Sequence, residues 1–161
     1  MTTPPRIAGH APVSELVRSY LAADYRWQHE GDWHDLHIGL QAPALELLYP
    51  DVDAFGFLSA WNPYSVEQTE MVNRDADRTL HEALIATGRP FCAAFASATN
   101  RSWREPSWVV MGFPPAEFDT LFRRHGQLAT LWWTRGYPVR LRVDAPRPGD
   151  FGGDEHIDWL K

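Results

Sequence analysis

The stretch "DAFGFLSAWNPYSVEQTEMVNRDADRTLHEAL", Asp53 to Leu84, changes its hydrophobic period part-way along. Residues 54–61 form a short apolar run of strand length, Asn62-Pro63 interrupts it, and the apolar residues then recur at helical spacing until a glycine stop at Gly88. Ser65, with Gln68 three residues further on, resembles a capping box, so a helix is expected over 65–87. Asn73 precedes Ala76, Leu80 and Leu84 by three, seven and eleven residues, which places it on the core-facing stripe of that helix. An amide buried there and left unpaired costs about 1–3 kcal/mol, so Asn73 either bonds to the sheet or faces a polar cavity.

Working outward, "PFCAAFASA" and "SWVVMGF" read as two further strands separated by the polar loop "TNRSWREP". Pro114-Pro115 opens a second helix carrying Phe118, Leu121 and Phe122, which Gly126 can end. "LATLWWTRGYPVRLRV" follows as two strands joined through Arg135-Gly136. From residue 54 the order is therefore β-α-β-β-α-β and one more strand. That is the order of a ferredoxin-like α+β domain, with an antiparallel or mixed sheet carrying its helices on one face. Upstream, Leu16, Tyr20 and Leu21 share one face of a first helix that Ser14 could cap, and "WHDLHIGL" alternates as a strand. Residues 1–12 read as a Pro- and Gly-containing lead-in, 13–143 as one domain, and 144–161 as a loose Pro, Gly and acid-rich tail.

The composition narrows the function classes. The chain has 161 residues, 44% of them apolar and 13% aromatic with eight tryptophans, so it can bury a substantial core unaided. A net charge of −6 gives no general electrostatic reason to bind nucleic acid or anionic lipid. Cys92 is the only cysteine, and "FCAAFASA" suits a small buried thiol, which fits a reducing cytoplasm. No secretory leader pattern opens the sequence and no apolar run reaches membrane-span length, so neither export nor membrane insertion is expected. "HEGDWHDLH" offers His29, His34 and His37, but without a helical His pair or a cysteine ligand no metal is expected, and no cofactor-binding motif is evident.

Polar residues gather around the strand-to-helix junction. Pro63 should hold Asn62 in extended geometry, leaving its amide at the sheet edge beside a helix N-terminus, where free N–H groups favour a small polar or anionic ligand. The alternative is that the amide ties down its own turn. In "WREPS", Arg104 beside Glu105 either binds a carboxylate or forms a surface pair of little energetic worth. Glu105 becomes an acid/base candidate if it is buried near Asn73 or Gln127. Gln127 could equally satisfy the orphan carbonyls of the helix before it.

The set "FLSAWNPYS", Asn73, "REPSWVVMG" and "HGQLATLWW" resembles the bacterial proteins catalogued as domain of unknown function 3293, over roughly residues 20–143. The resemblance implies recurrent polar positions at Asn62, Ser65, Asn73, Glu105, Ser107, Gly126 and Gln127, and it implies no activity. Trp61 and the short "TNRSWREP" loop depart from the pattern. Together these readings give a cleft at the junction of strand 54–61 with helix 65–87. Glu105 is its proton-transfer candidate. Asn62, Ser65, Asn73, Ser107, Gln127 and Arg104 are its ligand contacts, with Trp61 and Trp103 as walls. A non-catalytic interaction module using exposed tryptophans is the competing reading. The last hairpin would leave an apolar edge that a homodimer could cover.

Overall fold

A computed structural model describes residues 11–153 and 156–161, so most of the expected lead-in lies outside the described residues. The elements in chain order are α1 (Val13–Ala22), β1 (Asp24–His29), β2 (Asp32–Leu36), α2 (Pro43–Leu48), β3 (Ala54–Leu58), a 3-10 turn (Pro63–Ser65), α3 (Glu70–Thr87), β4 (Phe91–Ser97), β5 (Arg104–Met111), α4 (Pro115–Arg124), β6 (Ala129–Thr134), β7 (Arg140–Val143) and β8 (Ile157–Trp159). One eight-stranded sheet runs β2-β1-β4-β5-β3-β6-β7-β8. Its four middle strands, β4-β5-β3-β6, are mutually antiparallel in the split β-α-β order expected from the sequence.

Strand alternation sends two apolar sets to opposite faces. Leu58, Val110 and Trp132 face Leu80 and Leu84 of α3 and Phe118, Leu121 and Phe122 of α4. Phe55, Phe57, Val109, Met111, Leu131 and Trp133 form the other face, covered by Val17 of α1 and Leu45 of α2. The ferredoxin-like unit thus carries its two helices on one face, and the N-terminal elements close the other. Gly56 permits the close approach of α4, because a Cβ there would meet Cε1 of the buried Phe118 at 2.4 Å.

Local differences from the sequence reading have identifiable causes. Ser14 lies inside α1, which begins after Pro12. β1 pairs with both β2 and β4, and the short helix α2 spans too few turns to show a period. Arg135 fastens α2 to the sheet, donating to the carbonyls of Val52 (2.7 Å), Glu46 (3.1 Å) and Tyr49. The segment read as a loose tail returns to the sheet, because β8 pairs in parallel with β7 and buries Ile157. β8 also covers the edge that the last hairpin would otherwise present.

The expected helix start moves by several residues. Thr69, not Ser65, caps α3, its hydroxyl accepting from the Val72 N–H at 3.3 Å. Tyr64 and Ser65 take φ of +59° and +58°, which no helix can continue. The C-terminal stop is as expected, with Gly88 left-handed at φ +69°.

Candidate functional site

β3 ends at Leu58, and its exit is pinned at once. Ser59 donates through Oγ to the Pro106 carbonyl at 2.8 Å and accepts from the Trp61 N–H at 2.9 Å. Asn62 then turns left-handed at φ +47°, ψ +61°, a correction to the extended geometry expected before a proline. Three non-glycine residues between 62 and 65 thus have positive φ, a conformation costing on the order of 1–3 kcal/mol each. The surroundings hold it. Tyr64 N–H donates to the Gly126 carbonyl at 2.7 Å, and Gly126 lies so close that a Cβ would stand 2.9 Å from Cβ of Pro63.

Two asparagines clasp this loop to α3. Asn73 Oδ1 accepts from the Asn62 backbone N–H at 2.8 Å, while Asn73 Nδ2 donates to Asn62 Oδ1 at 2.9 Å and to the Gln68 carbonyl at 3.4 Å. Asn62 Oδ1 also accepts the Gln68 backbone N–H at 2.9 Å. Backbone N–H groups are donors only, so they fix the orientation of both amides. Asn62 Nδ2 must therefore be the group that donates to Glu105 Oε1, at 3.3 Å.

Glu105 belongs to β5 and not to the loop before it; it sits opposite Ala96 of β4. Alternation turns it towards α1, beside Tyr20 and Tyr25, and its neighbour Arg104 the other way. The two form no ion pair; the Arg104 guanidinium lies over the Phe95 ring, 4.1 Å from its centroid. Burial pushes the Glu105 carboxyl up to about 7, against the pull of the Asn62 hydrogen bond, which favours the charged form. Tyr20 is pushed up to about 12 by burial and by the nearby Glu105 charge, opposed by its 3.3 Å hydrogen bond with Ser65 Oγ.

Asn62, Asn73 and Glu105 line one side of an open cleft of about 730 Å³, with Tyr20 and Leu16 of α1 opposite. Ser65, Trp61, Trp103 and Arg104 also line it. Ser107 does not. Its hydroxyl is buried and donates to the Glu105 carbonyl at 3.0 Å. Gln127 lies behind the loop, donating to the carbonyls of Trp61 and His125, both at 3.2 Å, so it joins the end of α4 to the Asn62 turn. Gln127 and Glu105 meet only in a small inner chamber of about 20 Å³. Sequence reasoning missed Tyr20 as part of the site. Its place on the apolar face of α1 was visible, but the face it would meet, some eighty residues away, was not.

Comparison with known families adds one finding. Residues 58–130 match the family described as Protein of unknown function (DUF3293). This part of the chain belongs to that family. The DUF3293 segment runs from the end of β3 to the start of β6, so it holds the Asn62–Asn73 clasp and Glu105, whereas the Tyr20 wall comes from outside it. No curated protein and no solved structure matches the chain.

Proposed function

We propose that the cleft binds a small polar molecule and that Glu105 is the group that holds or transfers a proton there. The observation that carries this reading is the position of Glu105. It stands on a rigid central strand, one carboxylate oxygen held by Asn62 and the other without a hydrogen-bond partner among the described residues, in the wall of a cleft of small-molecule size. Its pKa of about 7 suits proton exchange at neutral pH. Asn62 and Asn73 have a positioning role, since they hold the strained loop that aims the Asn62 amide at Glu105.

The tryptophans lend the interaction-module reading little support. Of the eight, only Trp33 is exposed, at 43%, whereas Trp27, Trp132 and Trp133 are buried and Trp61 and Trp103 line the cleft. Among the described residues no helix is long and apolar enough to cross a membrane. A thermal-shift screen against a metabolite panel tests the cleft, run on the wild type, Glu105→Gln and Trp103→Ala. Ligands that raise the wild-type midpoint and lose that effect in both variants support the reading. Ligands that shift all three proteins alike remove it.

A further inference from the structure

The proposed cleft leaves open which sign of charge it accepts, and its donors and acceptors can be counted. We infer that the cleft takes a ligand presenting a protonated amine or guanidinium on a flat or aliphatic body, in preference to a phosphate or carboxylate. This inference rests on the cleft reading above and adds a chemical class to it.

The amide and backbone donors around the Asn62 loop are largely committed, while the buried Trp61 indole N–H has no hydrogen-bond partner among the described residues. Both Nδ2 hydrogens of Asn73 go to Asn62 Oδ1 and the Gln68 carbonyl, and the backbone N–H groups of Asn62 and Gln68 go to the paired amides. One Asn62 Nδ2 hydrogen goes to Glu105, and Gln68 Nε2 donates to the Val66 carbonyl at 3.3 Å. At the start of α3, Thr69 accepts the Val72 N–H, and Glu70 already sets a carboxylate against the helix dipole. Among the described residues Arg104 is the one cationic residue that lines the cleft, and its guanidinium is spread over Phe95.

The acceptors are open by contrast. Among the described residues, Glu105 keeps one carboxylate oxygen without a hydrogen bond, Glu67 at the rim makes no ion pair, and Glu70 binds Arg74 through only one of its oxygens. Among the described residues, three acidic residues therefore line the cleft with one cationic residue, whose guanidinium is turned onto Phe95. Trp61, Trp103 and Tyr20 also line the cleft, and an aromatic ring offers a cation, not an anion, an attractive face. A charged donor entering beside Glu105 would supply the hydrogen bond that its free oxygen lacks.

Matched probes of opposite charge test the inference on the full chain by calorimetric titration. The pairs are phenethylamine with phenylacetate and agmatine with glutarate. The expected result is saturable binding of the amines and weaker or no binding of the acids. Glu105→Gln should weaken amine binding by about tenfold or more, the scale of a lost hydrogen bond to a charged group. Glu67→Gln, an exposed substitution that leaves folding untouched, should weaken it by a smaller factor.

Amine binding that ignores both substitutions overturns the inference. Acid binding that equals or exceeds amine binding, and that is lost in Trp103→Ala, also overturns it but leaves the cleft as a binding site. If neither class binds in a way that depends on Trp103 or Glu105, the inference and the cleft reading fall together.

Discussion

Asn73→Ala is the sharpest test of the clasp. Asn73 is 2% exposed, and its removal strips the Asn62 backbone N–H of its acceptor and the Gln68 carbonyl of one donor. Asn62 Oδ1 keeps the Gln68 N–H, so one donor is fully orphaned, at a cost of about 1–3 kcal/mol. The loop stores left-handed strain at Asn62, Tyr64 and Ser65, and loosening it returns part of that energy. The expected net loss is about 2 kcal/mol, or about 1 M in the urea midpoint at an ordinary m-value. Tryptophan-monitored urea denaturation measures it. In a double-mutant cycle with Asn62→Ala the two changes should be non-additive by about 1 kcal/mol, since each side chain needs the other. Asn62→Gly should cost less than Asn62→Ala, because glycine accepts the left-handed backbone and keeps its N–H on Asn73. A loss below about 0.5 kcal/mol for Asn73→Ala, or an additive cycle, would refute the clasp.

Further outcomes follow from the same geometry. The Glu105 carboxyl is raised in the folded state from an ordinary 4.5 to about 7, so the folded protein holds this proton more tightly than the unfolded chain. Its burial therefore costs nothing at low pH, and the cost grows from about pH 4.5 and is complete above about 7, reaching on the order of 3 kcal/mol. Glu105→Gln should match the wild type near pH 4.5 and exceed its stability at pH 8; a difference that stays flat across that range counts against a buried, proton-holding carboxyl. Gly56→Ala should lose about 1–3 kcal/mol by thermal denaturation, since its Cβ would press on Phe118 in a filled core. Burial holds the Cys92 thiol up at about 12, so the native protein should react with a thiol reagent at least about a hundredfold more slowly than the urea-unfolded chain, and equal rates would contradict it.

The central topology was legible from sequence because each element carries its own period and punctuation. The switch at Asn62-Pro63, the stop at Gly88 and the diproline before α4 all act locally, and the β-α-β-β-α-β order leaves few ways to pair the strands. Asn73 was legible for the same reason. A 3.6-residue period puts it inside, and a buried amide must be satisfied.

What tertiary structure alone decided depends on contacts between segments distant in sequence. Ser65 and Gln68 form a plausible cap locally, yet Thr69 caps α3, because the Asn62 amide takes the Gln68 N–H and the loop is bent over Gly126 into left-handed geometry. The tail looks loose by composition, yet Ile157 pairs with Leu141 once β7 offers an open edge. Glu105 reads as a surface partner of Arg104, yet strand alternation turns the two apart and α1 brings Tyr20 over the carboxyl. A carboxyl's charge state is set by what covers it, and a cleft exists only between elements already packed. Sequence could therefore name the side chains of this site but not the burial and pairing that give them their chemistry.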